Sequence, residues 1–427
     1  HLQTSLIAAL PIPQTKRPYP ARVKNTKEPR HFKVPFSRRR LDRRATEIVR
    51  RLQEAGFEAF LVGGCVRDLL LGRRPKDFDI ATSAKPNAVR RLFRRSRMIG
   101  RRFKLVHVYV GREIYEVSTF RRAPQKSEKS KSDTKILADD NAYGNAREDA
   151  LRRDFTVNAL FMDPVKNEIL DWSTGMEDLK EKVLHSLGDP KIRFREDPVR
   201  VLRLIKFMRR LEFSPGEQEI EAARTECTHL SEAPPPRLVE EVFRLLQTGD
   251  SEGVFQDIQA LGVWKTLLPE LTRWMSRDEK NFERLLARLH VLDQWVEEGG
   301  EPCYSLRLAI LYGPYVEDEL NPETRTLPMR EPPQIVSEIL RQLQQRARLP
   351  RYALTRASRI LLAQTRMDPL PSPKKRGRRF NAARLVENDW FDDALEYLRG
   401  RLIADGRELA LYDEWHERAL SIREGDR

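Results

Sequence analysis

Cysteine is scarce in this 427-residue sequence, which has three cysteines that stand far apart. Their spacing excludes a cysteine-rich zinc site and a disulfide framework, and it favours a reducing, cytoplasmic compartment. Long apolar runs are missing too, since no stretch approaches the roughly 20 apolar residues of a membrane-spanning helix. The apolar segment at residues 6–10 ends at a proline and is too short for a signal peptide. These absences predict a cytoplasmic chain without a transmembrane segment.

Negative charge is also in deficit. Lysine and arginine number 79 against 64 aspartate and glutamate residues, which gives a formal net charge of +15 at pH 7. This excess indicates a polyanionic partner, either nucleic acid or an anionic membrane surface, without choosing between them. The hydrophobic fraction of 40% and a length equivalent to about three domains are sufficient for a hydrophobic core.

Hydrophobic periodicity divides the sequence into an α/β part and an all-α part. Residues 1–44 carry prolines and cations without an apolar period, and they predict a basic arm lacking regular structure. Between residues 45 and 120, strand patterns alternate with helical patterns and end in a predicted hairpin. A polar stretch at 121–146 predicts a loop. From residue 147 onward the pattern is almost entirely helical, apart from a hairpin predicted near residue 170.

The densest chemical signal is a pair of aspartates, Asp77 and Asp79, at the start of a strand predicted at 77–82. Side chains two positions apart on a strand point to the same face, so both carboxylates are predicted to project together. Such carboxylates can hold a pair of Mg²⁺ ions for in-line displacement at phosphorus. A solvated strand end is the structural alternative, and the pair alone does not exclude it.

A glycine pair, Gly63 and Gly64, lies between a predicted strand and a predicted helix and is followed by Arg67. Glycines allow a backbone to approach phosphate closely, and a helix N-terminus offers free N–H groups. Arg67 would add a cation. An ordinary strand–turn–helix would also explain the glycines, but the position ten residues before the aspartate pair makes phosphate binding the more specific interpretation.

A third carboxylate is needed to complete a metal site, and the sequence offers two. Glu116 lies in the middle of a predicted strand, and Asp154 precedes a helix predicted at 155–160. Asp154 has an alternative role as a helix cap. Arg153 and Asn158 on either side of it add a cation and a polar group, which favours nucleotide binding.

A second acid–base pair, Asp197 and Arg200, stands three residues apart beside Pro198, which suits a first helical turn. An intrahelical ion pair explains this spacing. Alternatively, the carboxylate accepts from an exocyclic amine while the guanidinium donates to the neighbouring ring nitrogen. Adenine and cytosine both present that order of groups, so the pair rejects guanine and uracil but does not choose adenine over cytosine.

Together these segments resemble the class II nucleotidyltransferase family, which comprises CCA-adding tRNA nucleotidyltransferases and bacterial poly(A) polymerases. The matching segments are residues 61–68, 77–79, 116–121, 152–158 and 195–200. The run at 99–108, with Arg101, Arg102 and His107, is similar to the poly(A) polymerase branch. So are a helical segment near 236–249 and a basic run that comprises Lys374, Lys375, Arg376, Arg378 and Arg379.

The resemblance implies an α/β head with a small mixed sheet, followed by an all-α neck, body and leg. The implied divisions are an arm at 1–44, a head at 45–182, a neck at 183–250, a body at 251–345 and a basic RNA-binding leg at 346–427. The active site would lie in the cleft between head and neck.

The resemblance also implies the site. Asp77, Asp79 and Asp154 would be catalytic, the first two as metal ligands, with Glu116 in reserve as third acid. Further positions implied to bind the nucleotide are Gly63, Gly64, Arg67, Arg153, Asn158, Asp197 and Arg200. The implied RNA-binding cations are Arg101, Arg102, Lys374, Lys375, Arg376, Arg378 and Arg379.

The implied activity is template-independent transfer of AMP from ATP to RNA 3′ ends, which would promote mRNA turnover. It would use two Mg²⁺ ions, with Mn²⁺ as a substitute. The expected partners are mRNA, small RNA and tRNA precursors, bound by a monomer together with RNA-decay proteins. Two alternatives stay open, a CCA-adding enzyme and an RNA-binding adaptor with an inactive head.

Overall fold

The computed structural model describes residues 26–100, 104–122, 142–328, 330–347, 349–369 and 381–425. The chain forms two compact units. Among the described residues, the N-terminal unit comprises 26–200 and 211–226, and the C-terminal unit comprises 201–210 and 227–425.

An eight-stranded sheet forms the basis of the N-terminal unit. Its strands are β1 (Arg30–Lys33), β2 (Ala59–Val62), β3 (Ile80–Thr82), β4 (Ser96–Ile99), β5 (Leu105–Val110), β6 (Glu113–Thr119), β7 (Phe161–Asp163) and β8 (Glu168–Asp171). The spatial order is β1-β8-β7-β2-β3-β6-β5-β4. β3 and β6 are parallel and the other neighbours are antiparallel, so the sheet is mixed, as predicted. A separate parallel pair consists of β9 (Val183–Leu184) and β10 (Ser214–Pro215).

The middle of the sheet is apolar on both faces, because β2 and β3 are short apolar runs whose residues are all buried. Aromatic rings fill one side. Phe161 lies 5.9 Å from Phe60 between ring centroids, and it contacts Trp172 edge-on at 5.4 Å. This packing fixes β2 and β3, whose ends carry the candidate site.

Within the described residues, eight α-helices begin in the N-terminal unit or at its boundary. They are α1 (Arg43–Glu54), α2 (Gly64–Leu70), α3 (Pro86–Leu92), α4 (Ala146–Leu151), α5 (Gly175–Glu181), α6 (Pro190–Glu196), α7 (Val199–Leu211) and α8 (Glu217–Glu226). α1 shows why they form: Asp42 caps it by accepting from two backbone N–H groups at 2.8 Å. Its buried residues, Ala45, Ile48, Val49 and Leu52, lie on one face.

The C-terminal unit is helical throughout its described part, which confirms the predicted all-α remainder. Its helices are α9 (Pro235–Leu245), α10 (Ser251–Ala260), α11 (Trp264–Leu267), α12 (Pro269–Met275), α13 (Glu279–Glu297), α14 (Tyr304–Leu320), α15 (Pro332–Ala347), α16 (Arg351–Met367), α17 (Ala382–Val386), α18 (Phe391–Ala404) and α19 (Ala410–Gly425). Large side chains such as Trp264, Trp274 and Tyr312 are fully buried between them.

Two predictions about local structure were wrong. The arm predicted to lack regular structure up to residue 44 contains β1, which pairs with β8 at the edge of the sheet. The helix predicted at 155–160 is a single 3₁₀ turn at Thr156–Asn158, followed by β7. The neck at 183–250 stays a prediction; in the structure, 183–200 and 211–226 group with the N-terminal unit. The loop predicted at 121–146 falls largely outside the described residues.

Candidate active site

Asp77 and Asp79 lie immediately before β3, in the middle of the sheet. The strand begins at Ile80, so the prediction that the pair forms the start of the strand itself was wrong. The backbone of Asp79 nevertheless continues the pairing, because its carbonyl accepts from the Val62 N–H at 3.0 Å. Asp77 is exposed and Asp79 is half-buried, with Phe78 between them also half-buried.

Glu116 is the acid that acts on this pair. β3 and β6 are parallel with Ile80 opposite Val117, so Asp79 and Glu116 precede that pair on adjacent strands. The pKa of Asp79 is raised to about 6, first by burial and then by the negative charges of Asp77 and Glu116, and Arg153 partly offsets the rise. Negative charge is therefore concentrated around Asp79, and Arg153 offsets only part of it.

His107 holds Glu116 from the other side. The two residues are directly opposite on β5 and β6, and Nε2 of His107 lies 3.3 Å from Oε1 of Glu116. His107 belongs to the sequence run at 99–108, but sequence reasoning gave it no role. The signal that could have found it is its position in a predicted hairpin opposite Glu116.

The glycine turn lies next to the aspartates. Gly63 precedes α2 with φ 73° and ψ −129°, a backbone conformation that other residues rarely adopt. A Cβ on Gly63 would lie 2.8 Å from Nη1 of Arg153, whereas one on Gly64 would be 3.7 Å from Arg67. Gly63 is thus required by its backbone conformation, and the end of the Arg153 side chain lies against this turn.

Arg67 is placed differently from the expectation. Its side chain is 2% exposed, and it donates to Oδ1 of Asp68 at 2.6 and 2.8 Å and to Oδ1 of Asn158 at 2.6 Å. A guanidinium that is buried and bound in this way positions the loop around Asn158. It is not presented openly to a triphosphate.

Asn158 links Arg67 to Asp154. Its Nδ2 donates to Oδ1 of Asp154 at 3.1 Å, and the same oxygen accepts from the backbone N–H of Phe155 at 2.9 Å. Asp154 therefore belongs to a buried polar network, while Glu116 acts on Asp79. The two candidate third acids occupy different parts of the site.

Asp149 is a buried acid beside the candidate site that the sequence interpretation did not single out. It is 1% exposed, and it accepts from Arg153 at 3.1 Å and from Arg152 at 3.0 Å. These cations lower its pKa against the opposing effect of burial. The sequence signal that could have found it is its spacing of three and four residues from Arg152 and Arg153, which brings these side chains together on a helix.

Asp197 and Arg200 come together as predicted, with Nε of Arg200 3.9 Å from Oδ2 of Asp197. Arg200 also donates to the carbonyl of Arg193 at 3.0 Å, and Arg193 donates to the carbonyls of Arg152 and Arg153. Burial and the charge of Arg193 lower the pKa of Arg200 to about 10, while Asp197 and Asp154 oppose this. The pair is connected to the Asp154 segment through backbone carbonyls.

A divalent cation fits the aspartate pair by its chemistry, since carboxylate oxygens are the ligands that Mg²⁺ prefers. The raised pKa of Asp79 comes first from burial and then from the negative charges of Asp77 and Glu116, which a cation would offset. In the described part of the chain, no group of three or more His, Cys, Asp or Glu side chains is already arranged around a metal position. Asp77 and Asp79 are thus metal-ligand candidates that a bound ion would bring together.

The predicted RNA-binding cations Arg101, Arg102, Lys374, Lys375, Arg376, Arg378 and Arg379 lie outside the described residues. No helix within the described ranges is long and apolar enough to cross a bilayer.

The fold is that of the tRNA nucleotidyltransferases. A *Bacillus stearothermophilus* CCA-adding enzyme solved with CTP superimposes with a TM-score of 0.62 at 24% identity, over 89% of this chain and 82% of that one. A tRNA nucleotidyltransferase solved with a primer tRNA and an incoming ATP analog gives a TM-score of 0.59 at 22% identity, over 89% and 99%. At these identities the likeness establishes the fold.

Sequence comparison places the head more specifically. Residues 59–185 match the poly A polymerase head domain, and residues 212–275 match a domain described as the probable RNA and SrmB-binding site of polymerase A. The matched part of the head is therefore similar to the poly A polymerase head domain, as the sequence motifs indicated.

Curated relatives agree. Poly(A) polymerase I of *Haemophilus influenzae* is 41% identical over 283 residues, 62% of each chain. That of *Salmonella typhimurium* is 41% identical over 260 residues, 60% of this chain and 56% of the relative. A CCA-adding enzyme of *Lactobacillus delbrueckii* is 39% identical over 219 residues, 51% and 54%. The chain thus matches about 60% of the length of the polymerases.

Proposed function

We propose that the chain transfers AMP from ATP to the 3′-hydroxyl of RNA without a template, with release of pyrophosphate. The observation that carries this proposal is an acidic group beside the turn at Gly63. Asp77 and Asp79 lie just before β3, and Glu116 lies on the adjacent strand β6. Relatives named Poly(A) polymerase I support adenylate as the transferred nucleotide.

Asp77 and Asp79 are the metal ligands in this proposal, and Glu116 takes precedence over Asp154 as the third acid. When bound, two Mg²⁺ ions, or Mn²⁺ in their place, would lower the pKa of the attacking hydroxyl and neutralise charge on the triphosphate. The protein's part is to position the carboxylate of Asp79 immediately before β3, where a bound cation would favour its charged form. His107 contacts the carboxylate of Glu116 and would fix its orientation.

The nucleotide would lie against the turn and the neighbouring arginines. Gly63 and Gly64 leave the backbone free of side chains where phosphate approaches, and Arg153 supplies the cation beside them. Arg67 and Asn158 act as positioning residues in this scheme, because they bind each other in the interior.

The base would be read at the other end of the same network. Asp197 and Arg200 offer a carboxylate and a guanidinium side by side, as reading adenine requires. Asp154, which acts on Arg200, would orient that guanidinium.

The RNA substrates would be the 3′ ends of mRNA, small RNA and tRNA precursors, with mRNA turnover as the consequence. The match of residues 212–275 to an RNA-binding domain supports RNA as the acceptor. A monomeric enzyme acting in the cytoplasm together with RNA-decay proteins is part of the same proposal, because both ATP and RNA are available there.

The test is to incubate the purified protein with Mg²⁺, a generic RNA and each nucleoside triphosphate separately. Long tails from ATP alone are expected. Addition that stops after C-C-A on tRNA would instead identify a CCA-adding enzyme. That second candidate is favoured by the structural neighbours and by the Asp197–Arg200 pair, which suits adenine and cytosine equally. An inactive RNA-binding adaptor is the least favoured candidate, because the acidic set is intact.

A further inference from the structure

The outer face of α16 (Arg351–Met367) carries positive charge that no described residue compensates. The helix contains four arginines and no acidic residue. Arg356 is bound to Asp393 at 2.6 Å and to Asp389 at 2.7 Å. The side chains of Arg351, Arg359 and Arg366 are exposed, and they make neither an ion pair nor a hydrogen bond with any residue the structure describes.

An exposed aromatic ring accompanies these cations. Tyr352 is 71% exposed, more than any other large apolar side chain in the described ranges. Behind it, Tyr304 stacks on Phe243 with 3.7 Å between ring centroids. Burial, and after it the phenol of Tyr352, raises the pKa of Tyr304.

Helical spacing arranges these residues in a row. Tyr352, Arg359 and Arg366 follow each other at intervals of seven, which brings them to one face. At 1.5 Å per residue the row is about 21 Å long. The opposite face is occupied by packing, since Ala353, Leu354, Ala357 and Ile360 are buried.

A solvated helix face is the simple explanation for exposed arginines, but it leaves the ring unexplained. Packing does not require Tyr352, because most of its side chain is in solvent. A flat ring flanked by cations on a convex helix suits a flexible polyanion that carries planar groups. Single-stranded nucleic acid has both, and stacking on an aromatic side chain combined with phosphate contacts is how such strands are held.

We infer that this face of α16 binds single-stranded RNA, with a base stacked on Tyr352 and phosphates at Arg351, Arg359 and Arg366. The inference rests on the proposed function in taking RNA as the substrate. In this inference the helix binds an internal part of the RNA strand, and the 3′ end of the RNA binds at the head.

The experiment measures the affinity of the full chain for a labelled single-stranded oligoadenylate by fluorescence anisotropy. Tyr352→Ala should raise Kd by about tenfold. Tyr352→Trp should retain wild-type affinity, because stacking needs only an aromatic face. Arg359→Gln and Arg366→Gln should each reduce the slope of log K against log salt by about 0.7. Arg341→Gln on α15 is the matched control, since that exposed arginine is already paired with Glu338 at 2.7 Å.

The inference is overturned if wild type and Tyr352→Ala bind the oligoadenylate with equal affinity. It is also overturned if the salt slope of Arg359→Gln equals that of Arg341→Gln. If polyglutamate displaces the oligoadenylate, and if the binding of polyglutamate is also lost in Tyr352→Ala, the inference is overturned in favour of an acidic protein partner. AMP incorporation by wild type at saturating RNA separates this result from the proposed reaction. A protein that binds RNA through Tyr352 but adds no AMP would refute the reaction and leave the surface standing.

Discussion

At the scale of single residues, the site depends on charges held in unfavourable positions. Asp79 is partly withdrawn from water next to two other acids, which raises its pKa to about 6. Arg67 is buried and bound by Asp68 and Asn158. Such positions cost folding free energy, and they are typical of residues retained for function.

Replacing Asp79 by asparagine should separate activity from stability. A carboxyl whose pKa is raised in the folded protein is destabilising in its charged form, so above about pH 6 Asp79→Asn should stabilise the metal-free protein. The rise from 3.8 to about 6 corresponds to about 1–3 kcal/mol. We expect a higher Tm at pH 8, no gain at pH 4 and no tailing, with RNA binding retained. Tailing that survived would contradict the metal assignment.

Glu116→Gln and Asp154→Asn should distinguish the two candidate third acids. Because Glu116 acts on Asp79 and Asp154 binds Asn158, we expect Glu116→Gln to reduce kcat by a factor of about 100 or more. Asp154→Asn should mainly raise KM for ATP, since it disturbs the network that reaches Arg200. Steady-state kinetics with varied ATP measure both. The reverse pattern would restore Asp154 as the third acid.

Gly63→Ala should destabilise the head and Gly64→Ala should not. At Gly63 a side chain would need a backbone conformation that costs about 1–3 kcal/mol and would displace Arg153. At Gly64 the nearest atom to an added Cβ is at ordinary contact distance. Urea denaturation of both variants tests this, with Gly64→Ala as the matched control. Equal midpoints would refute the requirement for glycine at 63.

At the scale of elements, β1 extends the head beyond the predicted limit. Arg30 at its start binds Asp171, which is fully buried at the end of β8, with 2.9 Å between Nη2 and Oδ2, and it also binds Glu177. The sequence around β1 reads as part of a basic arm because its side chains are half-buried or exposed. An edge strand is held by backbone pairing, which composition does not reveal.

Arg30→Ala should therefore lower the stability of the head, although it lies in the segment predicted to be an arm. We expect a loss of about 1 kcal/mol, since the partly exposed pair is screened by solvent while Asp171 keeps its bonds to Ser173 and Met176. Thermal unfolding measures it. Lys33→Ala on the same strand is the control and should leave Tm unchanged. A Tm equal to that of wild type in Arg30→Ala would show that the ion pairs of Arg30 add nothing to the stability of the head.

At the scale of the whole molecule, the net charge of +15 suits both substrates of the proposed reaction. The acids before β3 lie in a basic protein, so a polyanion can be attracted generally and a metal-bound triphosphate locally. This arrangement agrees with an enzyme that brings two polyanions together.

RNA affinity should therefore decrease steeply with salt. Raising monovalent salt from about 50 to 200 mM should weaken Kd by about tenfold or more, because each phosphate contact releases counterions. Filter binding at several salt concentrations measures this, and Asp79→Asn should show the same slope because it removes no cation. An affinity independent of salt would contradict a phosphate-based interaction.

Much of this protein was determined by sequence alone. Ordered motifs predicted the likeness to the poly A polymerase head domain and the mixed sheet, because backbone geometry and charge restrict which residues can stand at such positions. The apolar runs of β2 and β3, and the hairpin of β5 and β6, followed from local periodicity.

Tertiary structure alone decided which acid lies on the strand beside Asp79, that Arg67 is buried and that residues 30–33 form a strand. Each of these depends on residues that are distant in sequence: Glu116 reaches Asp79 through a parallel strand pair, and Arg67 reaches Asn158 across 91 positions. Periodicity records only which face of an element is apolar. The neighbours that meet a polar side chain on that face are set by topology and register.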